Sequence, residues 1–162
     1  MMMIRAEEPA DIAGIRKVVA EAFPGPLEAL LVDRLRADGN SVISLVAVDD
    51  GRVVGHVQFS SMTAPFRALG LGPVSVMPDR QRSGIGSQMI RAGLKHAADA
   101  GWEGVFVLGS PKYYQRFGFS PDRARGFKSS YSGAHFMLLA LNGCPHTEGE
   151  VDYAPAFAAL GL

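Results

Sequence analysis

The spacing of apolar residues predicts two helices near the start of the chain, after a short first strand. From Pro9, which suits the first turn of a helix, apolar residues recur every three or four positions as far as Phe23. The Pro24-Gly25-Pro26 sequence breaks this helix. A second stripe, made largely of leucines, then predicts a helix that ends near Gly39.

A β-hairpin is predicted next. The segment from Val42 to Val48 is rich in β-branched and apolar residues, which favours a strand. Asp49-Asp50-Gly51 supplies a turn, and Arg52 to Ser60 forms the returning strand. Residues 61–70 are predicted to be a loop. The stretch from Leu71 to Met77 is predicted to be the following strand.

The middle of the chain has the pattern of a strand–helix–strand unit. A helix with one apolar and one polar face follows the loop 79–86 and ends at Gly101. Val105 to Leu108 is short and fully apolar, which is typical of a buried central strand. Strands joined by such a crossover are parallel, so the strand from Leu71 should lie parallel to this one.

Two elements complete the predicted order. Residues 111–117 form a short helix and Phe136 to Leu141 a final strand. Because the other strands are expected to be antiparallel, we predict an α+β fold. Its central sheet is mixed and mostly antiparallel, with helices on both faces.

Composition and charge narrow the class of protein. The length of 162 residues fits one domain, 1–162, and sixteen basic residues balance sixteen acidic ones. A neutral chain gives no electrostatic reason to expect nucleic acid or an anionic membrane as a partner. The acidic pair Glu7-Glu8 falls where a signal peptide needs an apolar run. Cys144 is the single cysteine, so we expect a cytoplasmic protein without disulfides.

The segment from Val74 to Ser87 carries the clearest chemical signal. A strand ends, a loop containing Gly84 and Gly86 follows, and an amphipathic helix begins. The start of a helix offers unpaired N–H groups and the positive end of the helix dipole, which together bind phosphate oxygens. The two glycines remove side chains where the backbone must approach a pyrophosphate, and Arg82 can add charge.

Two common phosphate-binding motifs fit this segment poorly. A P-loop requires Gly-Lys followed by Ser or Thr, and neither Gly84 nor Gly86 precedes a lysine. A dinucleotide fingerprint requires a third small residue, where Met89 stands. The four histidines lack metal-ligand spacing, so no metal is expected.

The spacing Gln81-x-x-Gly84-x-Gly86 after a strand resembles motif A of the GNAT superfamily of N-acetyltransferases. In that superfamily a tyrosine often lies four residues before a Gly-Phe pair that follows the next strand. Here Tyr114 has that spacing from Gly118-Phe119. The sequence from Leu108 to Tyr114 resembles that of a bacterial subgroup of predicted acetyltransferases with unassigned substrates. The resemblance covers nearly the whole chain and implies the GNAT fold.

The resemblance implies acetyl-CoA as cosubstrate and transfer of its acetyl group to a primary amine by direct attack, without a covalent enzyme intermediate. Backbone groups of Val74 and Val76 should pair with the pantetheine arm, and one N–H of this strand should stabilise the oxyanion. Tyr114, with an ordinary pKa of about 10, should protonate the leaving thiolate. The implied pyrophosphate-binding residues are Gln81, Arg82, Ser83, Gly84, Ile85, Gly86 and Ser87.

The general base has no assignment from the sequence. Many members of the superfamily use a carboxylate near the start of the motif A strand or an ordered water. Residues 70–76 contain no carboxylate. His56 and Glu28 are the two alternatives.

The acceptor is expected to be a small-molecule or peptide amine. We predict its pocket from the 23–28 turn, the 61–70 loop and the 120–133 segment, with apolar groups such as Phe23, Phe66 and Phe127. Two other functions stay open, namely a catalytically silent acyl-CoA sensor and a transferase for another acyl group. The resemblance also leaves a homodimer open.

Overall fold

The computed structural model describes residues 1–162. The first half of the chain contains one strand, two helices and then three strands. They are β1 (Met2–Ala6), α1 (Ile12–Ala22), α2 (Leu27–Ala37), β2 (Ser41–Asp49), β3 (Arg52–Ser61) and β4 (Ala68–Val76). A 3-10 turn at Pro9–Asp11 leads into α1, at the position where the sequence predicts the helix to begin.

The second half begins with a long helix and continues with shorter elements. They are α3 (Ile85–Asp99), β5 (Gly104–Leu108), α4 (Pro111–Tyr114), α5 (Pro121–Ala124), β6 (Phe127–Lys128), β7 (Phe136–Ala140), β8 (Gly149–Glu150) and α6 (Pro155–Ala159). A 3-10 turn at Gln115–Phe117 prolongs α4, and together they match the short helix predicted over 111–117.

The central sheet has six strands in the order β1-β2-β3-β4-β5-β7. Only β4 and β5 pair in parallel, and every other neighbouring pair is antiparallel. The prediction of an α+β fold with a mixed, mostly antiparallel sheet is therefore confirmed. β6 and β8 form a separate two-stranded parallel sheet that the sequence analysis did not predict.

Close helix–sheet contacts fix the two helical layers. On one face α1 approaches β3 so closely that a Cβ atom on Gly14 would lie 2.8 Å from Cγ2 of Val53. On the other face the ring of Phe59 fills the space beside Gly93 of α3, where an added Cβ would lie 2.2 Å from Cε1. Glycine at position 93 therefore lowers the helix propensity of α3 but permits close packing.

A bulge in β4 separates this strand from β5. Val57 pairs with Val74 and Phe59 with Leu71, so three steps along β4 match two steps along β3. β5 pairs with β4 only from Ala68 to Leu71. A bulge bends a strand and interrupts its ladder. Beyond Leu71, β4 therefore continues without a partner on its β5 side.

β4 begins earlier than predicted, which corrects the loop expected at residues 61–70. Ala68 to Gly70 already pair with β5, and all three are buried. In the sequence, Gly70 suggests a turn. In the structure, it allows the strand to pack closely against a neighbouring side chain. A Cβ atom there would lie 2.5 Å from Cε1 of Tyr153.

The end of the chain, from Ala154 onward, packs back onto α2. Ala154 and Ala156 are buried against Leu31 and Leu35 of α2. This contact places α6 beside the open part of β4. None of the helices has the length and apolar character needed to cross a membrane.

Candidate active site

The loop between β4 and α3 is held in a tight turn. Arg82 and Gly84 have φ angles of 65° and 86°, in the left-handed region. The Gln81 side chain donates to the carbonyl of Val76 at 3.0 Å, and the Ser83 hydroxyl donates to the carbonyl of Arg80. Turns with such left-handed residues direct successive N–H groups into a common concavity.

The N–H groups of this loop have no acceptor within the protein. None of the seven from Gln81 to Ser87 donates to a backbone or side-chain atom. The last three belong to the first turn of α3, a helix of fifteen residues, and therefore share the positive end of its dipole. The loop can donate several hydrogen bonds to an anionic ligand.

α4 closes over the start of α3. The Tyr113 hydroxyl lies 3.1 Å from Oγ of Ser87. Arg116 donates from Nε to the carbonyl of Tyr113 at 2.9 Å, and its guanidinium lies 4.5 Å from the centre of the same ring. Gly86 faces the gap between these elements. A Cβ atom there would be 3.7 Å from the Tyr113 hydroxyl.

A cleft of about 570 Å³ runs between the unpartnered part of β4 and α4. Nine of the ten residues predicted as functional line it together, in agreement with the sequence pattern. They are Val74, Val76, Gln81, Arg82, Gly84, Ile85, Gly86, Ser87 and Tyr114. Ser83 is the exception, because its hydroxyl turns back to the carbonyl of Arg80. We call this space the loop cleft.

A second cavity of about 410 Å³ adjoins the loop cleft. Both are lined by Phe23, Val74 and Tyr114, so these three residues mark their junction. The wall of the second cavity includes Glu28 and several residues from the end of the chain. Those residues are Tyr131, Tyr153, Phe157 and Leu162. We call this space the side cavity.

The side cavity contains part of the predicted acceptor pocket. The 23–28 turn and the 120–133 segment contribute, through Phe23, Glu28 and Tyr131, but residues 61–70 do not. Phe66 and Phe127 lie in a buried cluster instead, with ring centres 5.6 Å apart. The residues from 153 onward were missed. Their signal was the apolar spacing after Pro155, which is typical of a short amphipathic helix.

Tyr114 is largely buried between the two cavities. Its ring meets Tyr113 and Phe119 edge to face, with centres 5.0 and 5.8 Å apart. Burial, and secondarily the neighbouring Tyr113, raises the pKa of Tyr114 to about 12. The value of about 10 expected from the sequence is therefore too low. The phenol stays protonated throughout the neutral range.

The two base candidates have very different surroundings. His56 is fully buried in β3, with Nε2 2.8 Å from the Ser44 hydroxyl, which donates to Glu7. Burial lowers the pKa of His56 to about 4. It lines neither cavity. Glu28 is half-buried in the side cavity, and neither an ion pair nor a hydrogen bond occupies its carboxylate.

Two further sequence features lie outside both cavities. Cys144 is half-buried and packs against the phenylalanine cluster. The structure contains no group of three or more His, Cys, Asp or Glu side chains arranged to hold a metal ion.

Comparison with known proteins identifies the family of this chain. Residues 12–119 match the model of the acetyltransferase (GNAT) family. The chain is 38% identical to the uncharacterized N-acetyltransferase YhbS of Escherichia coli K12, over 96% of this chain and 98% of YhbS. It is 35% identical to the uncharacterized N-acetyltransferase YjhQ of the same organism, over 86% and 84% of the two chains.

Two solved structures are also similar. The crystal structure of E. coli YhbS in complex with CoA superposes with a TM-score of 0.90 and 30% identity, covering 97% of this chain and 92% of YhbS. A GNAT family acetyltransferase from Brucella melitensis in complex with acetyl-CoA superposes with a TM-score of 0.83 and 40% identity, covering 97% and 98%. The chain belongs to the acetyltransferase (GNAT) family and is an N-acetyltransferase.

Proposed function

We propose that this enzyme transfers the acetyl group of acetyl-CoA to a primary amine, which attacks the thioester directly. One observation carries the proposal. The loop cleft, with its seven free N–H groups, meets the side cavity at Phe23, Val74 and Tyr114. A donor held in the cleft and an acceptor in the cavity would meet at that junction.

The loop cleft suits two parts of coenzyme A, its pyrophosphate and its pantetheine arm. The N–H groups from Gln81 to Ser87 bind the pyrophosphate, assisted by the dipole of α3. Backbone groups of Val74 and Val76, which β5 does not reach, pair with the pantetheine arm as an added strand. The relatives from E. coli and B. melitensis were solved with CoA and acetyl-CoA, which supports this assignment.

Tyr114 supplies the proton for the leaving thiolate. The neutral amine nitrogen attacks the thioester carbon, so that a C–N bond forms and the C–S bond breaks. Tyr114 donates its phenolic proton to the sulfur, and its phenolate recovers a proton from the nitrogen. An ammonium acceptor therefore yields an amide, free CoA and one proton. A phenol with a pKa of about 12 is a strong base once ionised, which favours this return step.

The remaining roles fall to the backbone and to Glu28. One N–H of the strand between Val74 and Val76 stabilises the charge on the thioester oxygen. The ammonium must lose a proton before attack, and Glu28 is the only carboxylate that lines the acceptor side. We assign Glu28 the role of receiving that proton. Where the acceptor does not contact Glu28 directly, a water molecule relays the proton to its carboxylate.

Release of free CoA in the presence of a panel of amines tests the proposal. Tyr114→Phe should lower kcat by about 100-fold or more, within the range for loss of a general acid, while the Kd for acetyl-CoA changes little. Tyr113→Phe is the matched control, since it removes a neighbouring hydroxyl that contacts only Ser87.

The alternatives predict different results. A silent sensor would bind acetyl-CoA yet release CoA no faster with amines than without them. A transferase for another acyl group would turn over propionyl-CoA or succinyl-CoA faster than acetyl-CoA. An equal loss of kcat and acetyl-CoA affinity in Tyr114→Phe would contradict the acid role.

A further inference from the structure

The side cavity is lined mostly by hydrophobic residues and by one charged residue. Ten of the thirteen residues that line it are hydrophobic. Glu28 is its only charged side chain, and no lysine, arginine or histidine borders it. A volume of about 410 Å³ is at the small end of ligand pockets. The cavity therefore fits a compact molecule with little polar surface.

Glu28 is the only side chain lining the cavity that can pair with a cation. Two carboxylates that pair with arginines of α1 and α2 are already neutralised, Asp33 by Arg16 at 3.0 Å and Glu7 by Arg36 at 3.0 Å. Glu28 pairs with none of the chain's cations. A ligand that fills the cavity removes water from this carboxylate, and such desolvation requires a positive partner.

Aromatic side chains form the wall contributed by the end of the chain. The ring of Tyr153 has Tyr131 and Phe157 on either side, each with its centre 4.9 Å away. Tyr153 is only 9% exposed, and its hydroxyl has no hydrogen-bond partner. Such rings pack against apolar or aromatic ligands, and their faces also attract cations.

We infer that the acceptor is a monoamine, a single primary ammonium carried on a compact apolar or aromatic skeleton, with Glu28 binding the ammonium. This inference rests on the proposed function. It excludes two other classes of amine as preferred acceptors. Polyamines and aminoglycosides carry several cations, whereas the cavity offers one acidic side chain. Free amino acids carry a carboxylate beside the amine, and the cavity has no cation to pair with it.

A larger depression of about 720 Å³ lies elsewhere, between α5 and β7. Neither Val74 nor Tyr114 lines it. An amine bound there would not face the junction of the two cavities. The side cavity is therefore the better acceptor site.

The test compares kcat/KM for acceptors that differ in the number and sign of their charged groups. 2-Phenylethylamine should be acetylated at least about 10-fold more efficiently than phenylalanine, which adds only a carboxylate to it. It should exceed spermidine, a flexible aliphatic amine with several cations, by a similar factor. Glu28→Gln should raise the KM for 2-phenylethylamine by about 10-fold and leave the Kd for acetyl-CoA unchanged. Glu21→Gln, an exposed carboxylate on α1 outside both cavities, is the matched control.

Different outcomes overturn the proposed function and the monoamine inference. If acetyl-CoA binds but no amine accelerates CoA release, the proposed function itself is wrong. If amines are acetylated but phenylalanine or spermidine equals 2-phenylethylamine, the function stands and the monoamine inference is overturned. An unchanged KM in Glu28→Gln would likewise overturn it. Thermal unfolding of both variants shows whether they are folded.

Discussion

The ring of Tyr114 lies against Gly109, so closely that a Cβ atom on Gly109 would be 2.6 Å from Cε2 of the tyrosine. Gly109 does not have a positive φ, so its backbone conformation permits alanine without strain. Gly109→Ala should therefore displace the ring of Tyr114. Displacements of about 1 Å can cost about 100-fold in rate, and we expect a loss of kcat of that order.

The control for this variant is Gly25→Ala, because nothing lies within 4 Å of a Cβ atom at Gly25. The measurements are kcat at saturating acetyl-CoA and the Kd for CoA. A displaced Tyr114 lowers kcat at an unchanged Kd, whereas damage to the loop cleft raises the Kd. Unchanged kcat in Gly109→Ala would show that the phenol needs no such placement.

Gly84→Glu should abolish binding of CoA. Its carboxylate would enter the concavity formed by the free N–H groups of Gln81 to Ser87 and repel the pyrophosphate. The φ of 86° at Gly84 adds a backbone cost of about 1–2 kcal/mol for any other residue. Titration calorimetry with CoA measures the effect.

Gly84→Ala separates charge from backbone strain. Both substitutions carry the same φ cost, but only glutamate brings a negative charge. Gly84→Ala should retain measurable affinity where Gly84→Glu has none. Equal affinities in the two variants would count against the loop as the pyrophosphate site.

The pH dependence of turnover should lack a descending limb in the ordinary tyrosine range. Tyr114 acts in its protonated form, which is lost as the pH rises through its pKa. Burial moves that pKa from 10.0 to about 12. An amine acceptor becomes more reactive as it loses its proton, so kcat/KM should still be rising at about pH 10. A fall below pH 10 that disappears in Tyr114→Phe would contradict this.

His56 should make the protein less stable in mild acid. Its pKa is about 4 when folded and 6.5 in the unfolded reference, so the unfolded chain binds the proton more readily. His56 therefore contributes its full stabilisation above about pH 6.5. The free energy of unfolding decreases as the pH falls from about 6.5 to about 4, by about 3 kcal/mol in total. Urea unfolding at several pH values measures this loss.

His56→Gln removes the titrating group and should flatten the stability curve in that window. The exposed His96 offers the matched control, His96→Gln, which should leave the slope unchanged. Equal slopes in the wild-type protein and His56→Gln would mean that other groups control the acid response.

Local signals sufficed for the part of the site that lies along one stretch of chain. The strand, the loop from Gln81 to Ser87 and the α3 helix are contiguous, and each has its own sequence pattern. Tyr114 was identified by its distance from Gly118-Phe119. These predictions required no knowledge of long-range packing, and the structure brings all but Ser83 to one cleft.

Features that depend on distant contacts could not be predicted. Gly70 was assigned to a loop because the ring of Tyr153, which explains the glycine, is distant in sequence. The raised pKa of Tyr114 and the lowered pKa of His56 arise from burial by several elements at once. The packing of Phe66 in a buried cluster could not be predicted for the same reason, since its partner Phe127 lies far along the chain.

The junction at Phe23, Val74 and Tyr114 has an evolutionary consequence. Most of the loop cleft comes from the middle of the chain, whereas seven of the thirteen residues that line the side cavity lie within 23–31 and 131–162. Mutations in those flanking stretches can alter which nucleophile is admitted while the donor machinery stays intact. Paralogues can thus differ in the acceptor they use while they catalyse the same reaction. Chimaeras that exchange their C-terminal segments should therefore also exchange acceptor preference.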